Sequence, residues 1–382
     1  MRYIGQYILK DLSKKMVFIG GPRQSGKTTL AKHILDIYPY AQERKGIYYT
    51  WDFDEDRQSI LKYHWGNEHE LIVFDELHKY LRWKNWIKGV YDKFREQHHF
   101  LITGSARLDV YKKGGDSLLG RYHYWRLHPF TLAEIPASIS LQDAFKRLMT
   151  VGGFPEPFLD NNEREARRWR RERLERVLKD DIRDLETIKN IQMLALFLDA
   201  LRARVGNLIS LSNIGEDLEV SSPTLKHWLE VFEKMYLCFV VRPFSKNILR
   251  AVLKAPKVYF FDNGDVQGQN DEGAIFENLV ANHLLKRIHF LEDRDGYRYE
   301  LRYIRDKQGR EVDFVILKEG KVDELIEVKY SDPKISSSLI YFAEKLKPRK
   351  VLQIVANLKT SYSKNHIQVK SPLEALTSLE ET

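Results

Sequence analysis

The stretch Gly21-Pro22-Arg23-Gln24-Ser25-Gly26-Lys27-Thr28 lies between the apolar run of residues 16–19 and the amphipathic run of residues 29–35. The flanking runs predict a buried strand before it and a helix after it. The spacing fits the pattern G-x-x-x-x-G-K-[ST], in which two glycines let backbone N–H groups face one anion. The positive end of the following helix adds to that anion site. The stretch therefore predicts a strand–loop–helix unit that binds the phosphates of a nucleotide.

Two side chains of this loop have chemistry suited to a nucleoside triphosphate. We expect Lys27 to reach the β- and γ-phosphates and the Thr28 hydroxyl to hold Mg²⁺. A chance glycine-rich turn is the alternative, and the flanking strand and helix argue against it. The residues predicted to bind the nucleotide are Gly21, Pro22, Arg23, Gln24, Ser25, Gly26, Lys27, Thr28, Thr29 and Thr103.

A second motif, LIVFDE at residues 71–76, places two carboxylates after four consecutive apolar residues. Such a run is typical of a strand buried on both faces, and the carboxyl ends of parallel strands are where open α/β sheets bind ligands. We expect Asp75 to bind Mg²⁺ through water and Glu76 to polarise the water that attacks ATP. Solvated acids at a strand end are the alternative.

Residues 99–105 predict a neighbouring strand that also ends in small polar residues. A hydroxyl at that end, from Thr103 or Ser105, could sense the γ-phosphate. A plain turn at the end of the strand fits the sequence equally well.

Taken together, these motifs resemble those of the AAA+ ATPases. One prokaryotic group of them, which carries a winged helix and a PD-(D/E)xK nuclease-like domain in its C-terminal half, is similar to this chain at residues 21–24, 103–106, 119–122 and 127–130. The resemblance implies a three-layer α/β domain with a five-stranded parallel sheet. It implies ATP rather than GTP, since the sequence has no Asn-Lys-x-Asp guanine motif.

The resemblance also implies a ring or other homo-oligomer, and a catalytic arginine that often comes from a neighbouring subunit. Arg121 is the first candidate and Arg107 the second, and either could be an ordinary surface arginine.

Composition limits the remaining possibilities. The 382 residues suffice for two or three domains, and no apolar run approaches the roughly 20 residues that a membrane span needs. We therefore expect a cytoplasmic protein without a membrane partner. The net charge of +8 is compatible with DNA, although charges of both signs are abundant. The single cysteine, Cys238, lies in an apolar run and is expected in the core rather than as a nucleophile.

The middle of the chain begins after the turn-rich residues 152–157. Residues 164–184 alternate arginine with glutamate, which favours a solvated helix with i,i+4 ion pairs, and a DNA-facing helix is the alternative. Residues 208–241 predict two helices joined by a turn, followed by strands at 238–241 and 257–261. This order resembles a winged helix. Thr224, Lys226 and His227 would then lie on its exposed face, to contact either DNA or another protein.

The last third predicts a helix that bears Glu277, a strand that bears Asp313 and a strand that bears Glu327 and Lys329. Residues two apart in a strand share a face, so Glu327 and Lys329 project together. The pattern D…E-x-K resembles the core of the PD-(D/E)xK nucleases, with Val312 in place of the proline. The resemblance implies that Glu277, Asp313 and Glu327 hold Mg²⁺ or Mn²⁺ and that Lys329 assists Glu327 in catalysis. A structural ion-pair network with Arg302, Arg305 and Arg310 is the alternative.

The sequence as a whole predicts an α/β protein with three domains. They are a P-loop AAA+ domain at 1–150, a helical linker with a winged helix at 151–265, and a restriction-endonuclease-like domain at 266–382. The predicted function is ATP hydrolysis coupled to an action on DNA. The alternatives are a nucleotide-gated switch, whose nuclease-like domain binds without cutting, and a DNA-binding regulator that uses the winged helix alone.

Overall fold

The computed structural model describes residues 2–41, 43–104, 118–182, 191–245, 255–266 and 271–380, without the side chains of residues 180–182. The chain forms two compact units, Met1–His128 and Pro129–Thr382. The three-domain division expected from the sequence stays a prediction.

The first unit alternates strands with helices. Its elements are α1 (Gly5–Leu12), β1 (Met16–Gly20), α2 (Lys27–Ile37), β2 (Lys45–Thr50), α3 (Asp54–Leu61), β3 (His69–Asp75), a 3-10 turn (Leu77–Lys79), α4 (Trp83–Phe94), β4 (His99–Thr103) and β5 (Tyr122–Arg126).

The strands described for this unit form one five-stranded parallel sheet in the order β2-β3-β4-β1-β5. A parallel sheet needs cover on both faces, and residues 71–75 of β3 are accordingly all buried. Because β4 lies between β1 and β3, the loop after β1 and the acids after β3 flank the carboxyl end of β4. The expected parallel sheet is confirmed, and so are the expected strands at 16–19, 71–74 and 99–103.

The second unit begins with helices and continues into a mixed sheet. Its elements are α5 (Leu141–Thr150), α6 (Pro155–Asp160), α7 (Glu163–Arg176), a π-helical turn (Val177–Ile182), α8 (Ile191–Arg202), α9 (Leu211–Leu218), α10 (Ser222–Lys234), β6 (Cys238–Pro243), β7 (Lys257–Phe260), a 3-10 turn (Asn263–Val266), α11 (Glu272–Asp295), β8 (Tyr299–Arg305), β9 (Glu311–Lys318), β10 (Lys321–Lys329), α12 (Ser337–Leu346), β11 (Lys350–Val355), β12 (Tyr362–Lys364), β13 (Ile367–Lys370) and α13 (Pro372–Ala375).

Among the described residues of this unit, eight strands form one sheet in the order β12-β13-β11-β10-β9-β8-β6-β7. The strands β6 and β7 form the antiparallel pair that the sequence placed after two helices. Their pair continues the sheet of the C-terminal region, because β6 runs parallel to β8 through Arg242 and Arg302. A strand of the predicted second domain therefore lies in the same sheet as Asp313 and Glu327.

The helices α9 and α10 follow the predicted pattern. Ser221 caps α10 by accepting a hydrogen bond from the Thr224 amide, and Leu225, Trp228 and Phe232 are buried. Lys226 and His227 are exposed, as expected, whereas Thr224 is half-buried, with its hydroxyl 2.7 Å from that of Ser221. The two helices and the β6–β7 pair agree with the elements of a winged helix, and that assignment stays a prediction.

The arginine-rich helix α7 is only partly a solvated helix. Arg168 pairs with Glu165 at 2.9 Å on its exposed face, in the way that the sequence predicted. Arg173, in contrast, is buried with its guanidinium 4.1 Å from the centre of the Phe154 ring. Arg170 reaches the fully buried Asp262 at 3.2 Å. Two of the arginines therefore stabilise the unit from inside.

None of the helices in the described part of the chain has the length and apolar character that a bilayer crossing requires. Cys238 is buried at the start of β6, as expected for a core residue.

Candidate functional site

The phosphate-binding loop follows β1 and leads directly into α2. Gly21 has a φ of 132° and Gly26 a φ of 93°, conformations that glycine adopts without steric cost. A Cβ atom on Gly21 would lie 2.4 Å from the carbonyl oxygen of Leu127, so the loop packs too closely for any side chain there. Because α2 begins at Lys27, directly after Gly26, the N-terminal end of the helix adjoins the loop, and the first N–H groups of a helix have no acceptor within it.

The Lys27 side chain is buried inside this loop. Its ammonium donates hydrogen bonds to the carbonyl oxygens of Gly21 at 3.1 Å and Pro22 at 2.7 Å. Among the residues that the structure describes, the buried Ser25 hydroxyl and Gln24 Oε1 have no hydrogen-bond partner. A buried polar atom without a partner is costly, so these atoms fit a site that receives a polar ligand. Arg23 is half-buried and Thr29 is exposed on α2.

Asp75, the last residue of β3, receives hydrogen bonds from three hydroxyl groups. Thr28 donates to Oδ2 at 2.8 Å, Tyr48 donates to the same oxygen at 2.5 Å, and Thr103 donates to Oδ1. The structure thus brings together Thr28, Asp75 and Thr103, which the sequence predicted separately. Carboxylate and hydroxyl oxygens in this arrangement could hold a hydrated Mg²⁺.

Tyr48 is a residue of this site that the sequence analysis missed. It lies on β2, where the parallel register pairs it with Val73, two residues before Asp75. Burial, with the hydrogen bond to Asp75, raises the pKa of Tyr48. The hydroxyl therefore stays protonated and donates to the carboxylate. The sequence offered one signal for this contact, a tyrosine near the carboxyl end of a predicted parallel strand. That signal applies equally to the adjacent Tyr49.

Glu76 has a φ of 57°, a left-handed conformation that costs a residue with a side chain about 1–2 kcal/mol. Its amide donates to the carbonyl of Thr103 at 3.1 Å, which holds it against β4. Its carboxylate lies 3.4 Å from the ammonium of Lys79 and 3.7 Å from the ring of His78. Burial raises the pKa of Glu76, while the charges of Lys27 and Lys79 oppose that rise. Backbone strain of this kind is concentrated at functional sites.

Arg121 lies beside the N-terminal ends of the strands β1 and β5, whereas the loop lies at their C-terminal ends. Tyr122 begins β5 and pairs with Met16 at the start of β1, whereas the loop follows the end of that strand. The two ends are about 15 Å apart at the usual rise of a strand, farther than an arginine side chain reaches. Arg121 instead pairs with Asp92 of α4 at 2.7 Å. Its predicted catalytic role is therefore compatible with a neighbouring subunit and not with its own chain. Ser105 and Arg107 lie outside the described residues.

A second group of charged side chains lies on the eight-stranded sheet. Glu277 comes from α11, Asp313 from β9, and Glu327 with Lys329 from β10. The antiparallel register pairs Ile326 with Phe314, so Asp313 and Glu327 are neighbours across the two strands. The Lys329 ammonium lies 2.8 Å from Glu327. The four residues named from the sequence thus belong to adjoining elements.

The sequence analysis missed two members of this group, Glu311 on β9 and Lys257 on β7. The Lys257 side chain is buried, and its ammonium lies 2.7 Å from Glu311 and 3.4 Å from both Glu277 and Asp313. Burial would lower the pKa of Lys257, but the three carboxylates outweigh it and raise the pKa. Lys257, Glu277, Glu311 and Asp313 are called the lysine–carboxylate cluster below. A lysine in the apolar strand KVYF was the only signal.

The acids at this position have the oxygen chemistry that Mg²⁺ or Mn²⁺ prefers. Within the described residues, Oε2 of Glu327 is buried and has no hydrogen-bond partner. Burial together with the charge of Asp313 raises the pKa of Glu277 and of Glu327 to about 7, and for Glu327 hydrogen bonds with Lys329 and Ser336 oppose that rise. Both features indicate carboxylates that could accept more positive charge. In the described part of the chain, however, no three acidic, histidine or cysteine side chains converge closely enough to hold a metal ion. The predicted metal site of Glu277, Asp313 and Glu327 stays a prediction.

The ion-pair network that the sequence left as the alternative is present in part. Arg302 pairs with Glu300, Arg305 with Glu311 at 3.3 Å, and Arg310 with Asp306 at 2.7 Å. The three arginines reach acids beside the predicted site, and a lysine reaches the predicted site itself.

Comparison with family models divides the chain into three segments. Residues 13–136 match a model described as AAA domain, residues 142–267 a domain of unknown function (DUF8612), and residues 272–376 a domain of unknown function (DUF4143). Among curated proteins, the uncharacterized protein MJ1544 of Methanocaldococcus jannaschii is 26% identical over 350 residues, which span 84% of this chain and 76% of the relative. The uncharacterized protein Rv2008c of Mycobacterium tuberculosis is 24% identical over 345 residues, which span 85% of this chain and 72% of the relative.

Similar solved structures include the ORC1 protein of Aeropyrum pernix in complex with DNA, with a TM-score of 0.33 and 12% identity over 75% of this chain and 94% of that chain. A Bacteroides Pif1 bound to single-stranded DNA has a TM-score of 0.22 and 13% identity over 41% of this chain and 48% of that chain. The family match at residues 13–136, the parallel sheet and the loop geometry agree with one another. The N-terminal unit of this chain therefore contains a P-loop ATPase domain of the AAA type.

Proposed function

We propose that the chain is an ATP-hydrolysing AAA protein that acts on DNA and carries a metal-dependent nuclease-like C-terminal region. The observation that carries the ATPase part is the convergence of Lys27, Thr28, Asp75 and Glu76 at one edge of the parallel sheet. Each of these residue types has a defined use in phosphoryl transfer, and together they cover phosphate binding, metal binding and water activation.

In the proposed site, the loop of residues 21–28 binds the triphosphate through its backbone N–H groups. Lys27 exchanges its carbonyl partners for phosphate oxygens. Thr28 and Asp75 hold Mg²⁺, which when bound neutralises charge on the β- and γ-phosphates. Glu76 takes up a proton from the attacking water, and its raised pKa makes it a stronger base than an exposed glutamate. Thr103 positions Asp75 and adjoins the place proposed for the γ-phosphate.

The proposed contact with DNA rests on charge and on the helices of the second unit. The chain carries a net charge of +8, and α10 exposes Lys226 and His227 opposite its buried face. The exposed Arg168 of α7 is paired with a glutamate on the same helix, which lowers its contribution to a positive surface. We therefore place the DNA-facing surface on α10 rather than on α7. This surface would contact phosphates and bases in the manner of a recognition helix.

The nuclease-like part of the proposal assigns Glu277, Asp313 and Glu327 as ligands of Mg²⁺ or Mn²⁺ and Lys329 as the group that orients the attacking water. Two observations support these roles. Oε2 of Glu327 has no hydrogen-bond partner among the described residues, and Oε1 lies 2.8 Å from the Lys329 ammonium. In such a site the metal supplies a polarised water and charge neutralisation at the scissile phosphate.

A second candidate function is a nucleotide-gated switch whose C-terminal region binds a partner without cutting. The contacts of Lys257 with Glu277 and Asp313 favour it, because a lysine already supplies positive charge to two of the proposed metal ligands. In this case ATP turnover would be slow and unaffected by DNA.

The rate of ATP hydrolysis measured with single-stranded, duplex and branched DNA separates the two candidates. We expect wild-type turnover to rise with at least one DNA form, and the rise to be lost in a Lys226→Ala/His227→Ala protein that keeps its basal turnover. A Lys27→Ala protein, which should not bind ATP, controls for contaminating ATPases. Turnover that no DNA changes would refute the action on DNA.

Cleavage needs its own assay, with labelled DNA of the same forms and Mg²⁺ or Mn²⁺. We expect wild-type protein to cut at least one form and Glu327→Ala protein to cut none. If the two proteins have the same activity, including none, the nuclease proposal fails while the ATPase proposal stands.

A further inference from the structure

The lysine–carboxylate cluster places one ammonium group among three carboxylates. Lys257 is 4% exposed as a side chain, and its ammonium lies within 3.4 Å of Glu277, Glu311 and Asp313. The hydroxyl of Tyr259, two residues further along β7, donates to Glu277 at 2.6 Å. The strand β7 thus supplies both a cation and a hydrogen-bond donor to acids on other elements.

The backbone of Lys257 is held on both sides. It pairs with Val241 of β6, and it forms a bridge with Leu208 in the segment that leads into α9. In the same segment, the amide of Gly206 donates to the carbonyl of Val258 at 3.1 Å. The ammonium can therefore leave the carboxylates only by rotation of its own side chain or by a shift of this segment. Both the β6 strand and the segment adjoin the helices α9 and α10.

A divalent metal and this ammonium would compete for the same oxygens. A metal bound by Glu277 and Asp313 needs inner contacts at 2.0–2.6 Å from oxygen. A metal at that position and the Lys257 ammonium would repel each other strongly. The repulsion between two unit charges 4 Å apart, at an effective dielectric constant of about 20, is several times the thermal energy. Both cations cannot occupy the cluster together.

We propose that Lys257 decides whether the C-terminal site takes a divalent metal: while its ammonium contacts Glu277 and Asp313, the site excludes Mg²⁺ and Mn²⁺. The inference rests on the proposed metal site, and it adds a residue from β7 that controls access to it. Since α10 and β7 are joined through β6, DNA bound on the proposed surface of α10 would open the site by displacing β7 or the segment of residues 205–209, and the cleavage expected of wild type depends on that displacement.

The test measures Mn²⁺ binding by electron paramagnetic resonance, with thermal unfolding at several Mn²⁺ concentrations as a second readout. Full-length wild type is compared with Lys257→Met, which keeps an unbranched side chain only one atom shorter and removes its charge. The matched control is Lys286→Met. Lys286 is also buried, and its ammonium pairs with Glu134 at 2.6 Å outside the cluster. A Lys257→Met/Asp313→Asn protein tests whether the metal binds at the cluster.

We expect Lys257→Met to bind Mn²⁺ at least about tenfold more tightly than wild type, because one competing charge is lost. Lys286→Met should resemble wild type, and the added Asp313→Asn should abolish the gain. If Lys257→Met does not fold without metal, Mn²⁺ should restore its circular dichroism and should not restore that of Lys286→Met. Equal Mn²⁺ affinity in wild type and Lys257→Met, or no restoration by Mn²⁺, overturns the inference.

The result is separable from the nuclease proposal. If Lys257→Met binds Mn²⁺ tightly but neither it nor wild type cleaves DNA, the proposed role of Lys257 stands and the nuclease proposal is refuted. If wild type cleaves DNA and binds Mn²⁺ as tightly as Lys257→Met does, the nuclease proposal stands and the proposed role of Lys257 is refuted.

Discussion

Replacing Tyr48 by phenylalanine should weaken the response of ATP hydrolysis to Mg²⁺. The substitution removes one of the three hydroxyls that donate to Asp75, at 2.5 Å, and leaves the aromatic ring in place. A hydrogen bond to a charged group contributes about 1.5–3 kcal/mol. Two hydroxyls would still hold Asp75, so we expect a loss near the lower value. Residues that orient a metal ligand typically affect metal affinity by about tenfold or more, in agreement with that loss.

The assay is the initial rate of ATP hydrolysis at saturating ATP over a series of Mg²⁺ concentrations. The half-saturating Mg²⁺ concentration should rise about tenfold in Tyr48→Phe, with a smaller change in kcat. Tyr49→Phe is the matched control. Tyr49 is the next residue of β2, and its hydroxyl donates to the carbonyl of His64 at 2.5 Å. It therefore loses a hydrogen bond of the same length away from Asp75.

The comparison of the two variants can refute the reasoning. If Tyr48→Phe and Tyr49→Phe change the Mg²⁺ dependence equally, the effect comes from loss of stability and not from the orientation of Asp75. If neither changes it, Tyr48 does not position the metal ligand.

Predictions at three further residues, Glu76, Gly21 and Arg121, concern the same domain. Since burial raises the pKa of Glu76 above 4.5, the ionised base is lost as the pH falls through that raised value, so kcat should decline on the acid side at a higher pH than an exposed glutamate gives. Glu76→Gln should bind ATP, measured by fluorescence of a labelled nucleotide, with no turnover at any pH. Gly21→Ala should lower the free energy of unfolding, measured by thermal unfolding, by about 1–3 kcal/mol, because its Cβ would lie 2.4 Å from the Leu127 carbonyl oxygen. Its control is Gly89→Ala in α4, where a Cβ meets nothing within 4 Å, and this variant should stabilise the protein slightly in that assay. Arg121→Ala should lower turnover per subunit only at protein concentrations where subunits associate; an equal loss at all concentrations would contradict a role between subunits.

The elements of the nucleotide site were predictable because their signals are local. Gly21, Gly26 and Lys27 lie within seven residues, and the strand and helix around them are set by apolar periodicity. The acids after residues 71–74 were predictable for the same reason, since a continuous apolar run is typical of a strand buried on both faces. The proximity of Thr28 to Asp75 followed from the rule that parallel strands end at one edge.

The long-range partners could not be predicted. Tyr48 meets Asp75 because β2 lies beside β3 in a particular register, and neither neighbour order nor register is written in either strand. The distance of Arg121 from the loop also depends on register, because the pairing of β5 with β1 places Arg121 at the N-terminal ends of these strands. The arginines of α7 likewise looked alike in the sequence, and only packing separates the exposed Arg168 from the buried Arg173.

The sequence by itself determined the phosphate-binding loop, the acids that follow β3 and the four charged residues of the C-terminal strands and helix. These depend on the spacing of neighbouring residues and on the alternation of side chains along a strand. Only the tertiary structure decided that Lys257 enters the carboxylates, since its strand joins their sheet through β6 from a region that the sequence assigned to a different domain. A charge interaction depends on distance in space, and residues 257, 277 and 313 are brought within that distance by folding alone.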